Sequence, residues 1–185
     1  MLEHGGRLRA AAERYRIPLA DWVDLSTGIN PRAYPVPALP PEVWQRLPET
    51  DDGLEAAAAA FYGNPLLLPV AGSQAAIQAL PRLLPPGRAA VLAPSYREHA
   101  AAWQRAGWDV LPFAPEQLEQ AATQANAVVL CNPNNPTGAV YPRELLEKLV
   151  AIARRHNLLL LVDEIYDQVL YDGAAFEPLA PIAGD

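Results

Sequence analysis

The sequence predicts an α/β fold in which a mostly parallel β-sheet is covered by helices on both faces. From residue 66 onward, short apolar runs alternate with helical segments, a pattern typical of strands joined by crossover helices. The clearest helix, residues 142–156, carries its apolar side chains on one continuous arc at about 100° per residue. The apolar runs on either side of it are strands that we expect to pair in parallel within the sheet.

The first third of the chain has a different pattern. Residues 7–16 predict a short helix and residues 22–27 a short strand. Residues 30–41 are rich in proline, which fixes φ and lacks an amide proton, so this segment is extended. It is either a linker or an arm laid across a neighbouring surface. The alanines of residues 52–63 predict a helix that ends at Gly63.

The rest of the chain follows the alternating order. An extended run, residues 66–74, leads into the first helix of the series. The predicted strands are 88–94, 108–113, 127–132 and 157–164, and the predicted helices are 74–84, 96–107, 115–124 and 142–156. In an open α/β sheet the ligand edge is formed by the carboxyl ends of the strands. Residues 1–41 are therefore interpreted as an N-terminal arm and residues 42–185 as part of a larger α/β domain.

Composition excludes several classes of partner. A net charge of −7 and an isoelectric point near 4.9 argue against a nucleic-acid or anionic-membrane surface. The single cysteine, Cys131, precludes an internal disulfide and fits a reducing compartment. The N-terminus lacks the apolar core of a signal peptide, and the longest aliphatic run is too short to span a bilayer. We expect a cytoplasmic protein, and no metal site is expected.

Candidate ligand-binding residues lie at two points where an extended segment passes into a helix. Gly72, Ser73 and Gln74 lie at a helix start, where backbone N–H groups and a hydroxyl favour an anion. Alone, such a start is more often a simple N-cap. Tyr96 lies at another strand-to-helix turn and offers a flat ring, although a single tyrosine there is more often a packed aromatic.

Two further polar groups follow the last two strands. Asn135 offers an amide donor, and Asp163 offers a carboxylate that, alone, would often be just a helix cap. Both are expected at the same edge as the groups above, because parallel strands end together. The combined set matches a ligand with a phosphate, a flat ring, a phenolic oxygen that accepts hydrogen bonds and a protonated ring nitrogen. That ligand is pyridoxal phosphate.

The motif "NPNNPTG", followed 28 residues after Asn135 by "DEIY", resembles the fold-type I pyridoxal-phosphate enzymes of the class I/II aminotransferase family. The resemblance implies that Asn135 and Tyr166 hydrogen-bond the phenolic oxygen and that Asp163 pairs with the ring nitrogen. It also implies a stacking role for Tyr96 and a phosphate-binding role for Gly72, Ser73 and Gln74. The remaining asparagines of the motif are expected to shape the turn.

The two ends of the chain resemble different branches of this family. The N-terminal motifs "HGG" and "DLSTGINP" are similar to threonine-phosphate decarboxylases of cobalamin biosynthesis, whereas the C-terminal third is similar to alanine-type aminotransferases. The first resemblance implies that His4, Gly28, Ile29 and Asn30 meet the substrate, although His4 alone would be interpreted as a surface residue. The expected substrate is a small amino acid, phosphorylated for a decarboxylase, and the choice between decarboxylation and transamination stays open.

The family holds its cofactor as a Schiff base on a lysine, and this chain has only Lys148. Lys148 lies on the polar face of the 142–156 helix, so we expect the catalytic lysine, like the small C-terminal domain, to be absent. The chain is interpreted as the N-terminal part of an enzyme that is a homodimer when intact. A non-catalytic truncated homologue is one alternative. A nucleotide-binding domain is another, against which the lack of G-x-G-x-x-G and G-x-x-x-x-G-K-[ST] counts.

Overall fold

The computed structural model describes residues 4–30, 32–171 and 173–184, in two compact units divided between Thr50 and Asp51. In the first unit, helix α1 spans Leu8–Tyr15. It ends at Arg16, whose φ of 56° breaks the helix, and the Trp22 indole N–H donates to the Ile17 carbonyl at 3.2 Å. The predicted helix is therefore present, shortened at both ends.

The strand predicted at residues 22–27 is wrong. The structure has no β-ladder there among the described residues of this unit. Asp24 instead organises a local turn, because its carboxylate accepts the Ser26 backbone N–H at 2.9 Å and the Ser26 hydroxyl at 2.6 Å. Short polar side chains of this kind compete with sheet formation by bonding their own backbone.

The second unit contains a four-stranded sheet and six helices among its described residues. The helices are α2 Leu54–Tyr62, α3 Ser73–Ala79, α4 Arg97–Arg105, α5 Leu118–Ala122, α6 Arg143–His156 and α7 Leu179–Ala183. The strands are β1 Arg88–Leu92, β2 Asp109–Phe113, β3 Ala127–Cys131 and β4 Leu159–Asp163. No helix in the described part of the chain is both long and apolar enough to cross a membrane.

All the strand pairings are parallel, and the order in the sheet is β2-β1-β3-β4. Helices cover both faces, as the sequence predicts. On one face, side chains of α5 and α6 pack on alternate residues of the strands, such as Val128 and Leu130; on the other, Trp103 of α4 packs against Val129. The period-2 alternation of strand side chains accounts for the two separate cores.

The strand order reverses direction next to β1. The chain passes from β1 outward to β2, then returns across β1 to β3 and continues to β4. The carboxyl ends of β1 and β3 therefore flank a topological switch point, the place where open α/β sheets bind ligands.

Two local differences from the sequence-based expectation have physical causes, and one expected extended run lies outside the sheet. The helix predicted at 74–84 is α3 followed by a 3₁₀ turn, Leu80–Arg82, because Pro81 cannot donate the next helical hydrogen bond. Residues 66–70 are extended but lie outside the sheet. Helix α7 was not foreseen; its first N–H, on Leu179, donates to the Glu164 carboxylate at 2.7 Å.

Candidate active site

A cleft opens at the carboxyl edge of the sheet, beside the switch point. It has a volume of about 140 Å³. Five of the predicted cofactor residues, together with two neighbours, form its wall: Ser73, Tyr96, Cys131, Asn135, Asp163, Ile165 and Tyr166. The sheet explains the convergence, because Tyr96 follows β1, Asn135 follows β3 and Asp163 ends β4.

Asp163 is held by two donors at the floor of this cleft. The imidazole Nε2 of His99 lies 2.9 Å from one carboxylate oxygen, and the Ile165 backbone N–H donates to the other at 3.1 Å. His99 comes from the buried face of α4 and is only 2% exposed. A carboxylate with both oxygens engaged has a fixed orientation, which a ligand-pairing group at a binding site requires.

The pKa shifts of this pair favour the charged forms of both groups. Burial lowers the pKa of His99, but hydrogen bonds and charge from Asp163 and Cys131 outweigh it and raise that pKa to about 9. Burial raises the pKa of the Asp163 carboxyl, whereas the hydrogen bonds from His99 and the Ile165 N–H lower it further, so the net shift is downward. At neutral pH the cleft floor therefore presents an ionised carboxylate backed by an imidazolium.

The "NPNNPTG" turn is organised by an asparagine that does not line the cleft. The buried amide of Asn134 donates to the Pro94 carbonyl at 3.0 Å and to the Thr137 hydroxyl at 2.7 Å. Its oxygen lies 2.9 Å from the Ser95 hydroxyl, which donates to it. These bonds connect the loop after β3 to the loop after β1, and so fix the neighbouring Asn135 and Tyr96 relative to one another.

A second asparagine anchors the other end of the same turn. Asn132 is fully buried and accepts the Tyr141 backbone N–H at 2.9 Å. Its own backbone N–H extends the β3–β4 ladder by donating to the Asp163 carbonyl at 2.9 Å. The expectation that the other asparagines of the motif serve turn geometry is confirmed by these contacts.

The predicted phosphate-binding residues lie at the start of α3. Gly72 has φ of 81°, and the space where a Cβ would stand holds no atom within 4 Å. Its own N–H donates to the Val70 carbonyl at 2.7 Å. Ser73 lines the cleft. Gln74 has another contact: its amide donates to the Tyr96 hydroxyl at 3.0 Å. Gln74 therefore braces the predicted stacking ring.

The predicted substrate residues belong to the first unit. His4, Gly28, Ile29 and Asn30 are all exposed there, and the Asn30 side chain accepts the Arg32 N–H at 2.9 Å. Their role toward a substrate stays a prediction. In the second unit, Lys148 is exposed on α6, and its ammonium lies 3.4 Å from Glu119.

The sequence analysis did not identify His99, Ser95 or Cys131 as residues of the site. His99 follows Tyr96 by one helical turn and shares a helix face with the buried Ala102 and Trp103. A histidine on such a face is the only local signal. The contact itself joins residues 64 positions apart, which no spacing in one sequence reveals.

Comparison with known proteins identifies the family. Residues 21–184 match the family model of aminotransferase class I and II, so the chain belongs to this family. Pyridoxal phosphate is the cofactor that the family implies.

Individual relatives and solved structures show which members of the family the chain is similar to. A threonine-phosphate decarboxylase from Pseudomonas aeruginosa is 55% identical over 167 residues, which cover 90% of this chain and 50% of the relative. A glutamate-pyruvate aminotransferase from Escherichia coli is 47% identical over 77 residues, covering 42% of this chain and 19% of the relative. An aspartate aminotransferase from Thermus thermophilus, solved with maleate, superposes with a TM-score of 0.59 at 32% identity, covering 71% and 39% of the two chains. This chain thus spans about half the length of the decarboxylase it resembles.

Proposed function

We propose that the chain is the N-terminal half of a pyridoxal-phosphate enzyme that decarboxylates a phosphorylated amino acid of the threonine-phosphate type. Similarity to a threonine-phosphate decarboxylase along nearly the whole chain supports the substrate class. The observation that carries the cofactor assignment is the ionised Asp163, which faces the cleft with both oxygens engaged by donors. We also propose that the intact enzyme is a cytoplasmic homodimer.

The cleft fits the chemistry of the cofactor. Asp163 would pair with a protonated ring nitrogen, and the His99 imidazolium keeps that carboxylate ionised. Asn135 and Tyr166 would donate hydrogen bonds to the phenolic oxygen, and Tyr96 would lie against the ring, held by Gln74. The helix start at Gly72 and Ser73, where Ser73 lines the cleft, would receive the phosphate. When bound, pyridoxal phosphate supplies an electron sink for the bond that breaks at the substrate α-carbon.

The residues of this chain set the electrostatics of that sink. An ionised carboxylate at the ring nitrogen favours the protonated and hence electron-accepting form of the ring. The His99 imidazolium prevents the carboxyl from taking the proton itself, because it lowers the pKa of Asp163. The hydrogen bonds of Asn134 to Ser95 and to the Pro94 carbonyl fix the turn, and so keep Asn135 in place on the wall of the cleft.

Transamination is the second candidate, favoured by the 77-residue similarity to a glutamate-pyruvate aminotransferase. The two reactions differ in which bond to the α-carbon breaks. The longer protein that contains this chain, incubated with threonine phosphate, should release carbon dioxide in proportion to substrate consumed. Incubation with alanine and a 2-oxo acid should give little amino transfer. Amino transfer faster than carbon dioxide release on these substrates would favour the second candidate.

The 185-residue chain itself is proposed to be inactive, because its only lysine is exposed on α6 and paired with Glu119. Borohydride reduction after incubation with pyridoxal phosphate, followed by peptide mass mapping, should show no stoichiometric adduct. Lys148→Arg is the matched control and should give the same background. Stoichiometric labelling that disappears in Lys148→Arg would show that this lysine does hold the cofactor.

A further inference from the structure

His99, Cys131 and Asp163 form a compact cluster beneath the cleft. One potential ligand atom from each residue lies within 4.8 Å of the other two. His99 and Cys131 are each 2% exposed, and the Asp163 side chain is 10% exposed. Three potential metal ligands, a nitrogen, a sulfur and an oxygen, therefore lie together in one small and largely buried volume.

The fold holds these residues in place independently of any ligand. Cys131 and Asp163 are direct register partners at the ends of the parallel strands β3 and β4, so their side chains lie on the same face of the sheet. His99 approaches from α4, with Nε2 2.9 Å from the Asp163 carboxylate. Its other ring nitrogen, Nδ1, is buried and has no hydrogen-bond partner among the described residues. The imidazole is thus incompletely satisfied in this arrangement.

The donor set selects one class of cation. Ca²⁺ and Mg²⁺ prefer oxygen ligands alone, whereas a thiolate with an imidazole and a carboxylate suits Zn²⁺. Tetrahedral zinc with its usual bond lengths places ligand atoms roughly 3.3–3.7 Å apart. The separations here, at most 4.8 Å, need to shorten by about 1 Å at the longest. Cys131 and Asp163 also line the cleft, so a fourth position is open to water.

We propose that the cofactor-free chain binds one Zn²⁺ ion through Cys131 Sγ, one imidazole nitrogen of His99 and the Asp163 carboxylate, with water as the fourth ligand. The metal takes the place of the Nε2 proton between His99 and Asp163, and both this proton and the thiol proton leave to solvent. The carboxylate thereby stays paired with a positive charge. Asp163 is also the residue proposed to pair with the cofactor ring nitrogen, so zinc and pyridoxal phosphate exclude one another at this site.

Cobalt serves as the spectroscopic probe. The 185-residue chain, without an affinity tag and freed of metal with a chelator, is titrated with Co²⁺. A thiolate-to-cobalt charge-transfer band in the near ultraviolet and intense visible bands typical of tetrahedral coordination should saturate at one equivalent. Added Zn²⁺ should remove both sets of bands. Only weak visible bands of six-coordinate cobalt, or no saturation near one equivalent, would overturn the proposal.

Single substitutions assign the ligands. Cys131→Ser should abolish the charge-transfer band, and His99→Asn and Asp163→Asn should each weaken Co²⁺ affinity by at least about tenfold, since even the loss of an outer hydrogen bond to a metal ligand costs that much. His156→Asn, at the exposed end of α6, is the matched control and should bind as the parent chain does. A charge-transfer band that survives in Cys131→Ser, or is lost in His156→Asn, contradicts the assignment.

A measurement on the unsubstituted chain guards against variants that fail to fold. Because Zn²⁺ would bind the folded chain at this cluster, the Tm should rise with Zn²⁺ concentration. Mg²⁺ at the same concentrations should leave it unchanged. A Tm that does not rise with Zn²⁺, or rises equally with Mg²⁺, would contradict a thiophilic site at this cluster.

Discussion

Two apolar stretches of this chain have opposite environments. Strand β3, Ala127–Cys131, is buried along its whole length between β1 and β4. Residues 64–70 contain four large aliphatic side chains against three in β3, yet Leu66 is 79% exposed and Leu68 is 83% exposed. Both segments are extended. The difference lies in partners: β3 has a strand on each side and a helix layer on each face, whereas the 64–70 segment lies outside the sheet.

The comparison teaches that apolar sequence alone does not determine burial. A strand gains its stability from neighbours that complete its hydrogen bonds and cover its side chains. Most of the cleft belongs to the well-covered part of the unit, because Tyr96, Asn135 and Asp163 lie at or after the ends of β1, β3 and β4. Ser73, which also lines the cleft, instead follows the exposed segment. The exposed segment and Phe61 and Tyr62 of α2 all leave apolar side chains in contact with water, and exposed apolar surface of this kind marks interaction sites when it is contiguous.

The largest expected effect on stability comes from the buried core around β3. Leu146 of α6 is fully buried in the core beneath β3, and Leu146→Ala should lower the free energy of unfolding by about 2–5 kcal/mol. Leu68→Ala removes the same atoms from an exposed position and should change it by no more than about 0.5 kcal/mol. Urea unfolding of both variants at low protein concentration measures the contrast. Equal losses would mean that the 64–70 segment is covered in solution.

The next effect concerns catalysis in the proposed full-length enzyme. Asp163→Asn removes the negative charge that favours a protonated ring nitrogen, and turnover should fall by roughly 10²–10³, by analogy with the loss of one preorganised electrostatic partner. The cofactor should still bind through its phosphate and ring contacts. Turnover with threonine phosphate and with alanine, together with the absorbance spectrum of bound cofactor, checks this.

Asn135→Ala and Tyr166→Phe provide the comparison for that variant. Each would remove only the proposed hydrogen bond to the phenolic oxygen, so each should cost less in turnover and should mainly shift the pH dependence of the cofactor spectrum. Near-normal turnover of Asp163→Asn, combined with loss of activity in Asn135→Ala, would show that Asp163 does not face the ring nitrogen.

A smaller effect is a pH dependence of stability in the metal-free chain. The folded-state pKa of His99 is raised to about 9 from the ordinary value of 6.5, so its pairing with Asp163 stabilises the fold fully below pH 6.5. That contribution is lost as pH rises through about 9. The pKa of Asp163 is lowered, so the same pairing is also lost in acid, as pH falls below 3.8 and through the folded-state pKa.

Urea unfolding with a chelator present, at pH 6 and at pH 10, tests this dependence. The stability difference between the parent chain and His99→Gln should be largest at pH 6 and should shrink at pH 10. His156→Gln, an exposed histidine on α6, should follow the parent chain at both values. A difference between parent and His99→Gln that does not change with pH would show that the pair does not carry the charge assigned to it.

The features that the sequence predicts are those encoded locally. Strands β3 and β4 are continuous apolar runs, and each is followed by polar residues, so the ligand edge and the positions of Asn135 and Asp163 could be placed from the pattern alone. Helix α6 follows from its amphipathic period. The motif indicates the cofactor because the residue types proposed to bind it occur at fixed offsets from those strand ends.

What could not be predicted depends on contacts between distant positions. His99 meets Asp163 across 64 residues, and the zinc ligands proposed above come from one helix and two strands, without any recognisable metal-ligand spacing. Helix α7 contains Pro181 and spans only five residues, so its formation depends on the Glu164 carboxylate and on packing against α6. The strand expected at 22–27 has a strand-like pattern, but no described residue of its unit pairs with it in a ladder.

The smallest expected effect is on self-association through the exposed 64–70 segment. If Leu66 and Leu68 are exposed in solution, the chain should self-associate through them, because association removes their apolar surface from water. The double variant Leu66→Ser/Leu68→Ser should weaken self-association by roughly tenfold, which corresponds to about 1.4 kcal/mol. Leu83→Ser is the control, since Leu83 is 74% exposed but belongs to another element. Sedimentation velocity over a range of concentrations gives the association constants. A parent chain that stays monomeric at all concentrations, or a Leu83→Ser variant that dissociates as readily as the double variant, would mean that the 64–70 segment is not an interaction surface.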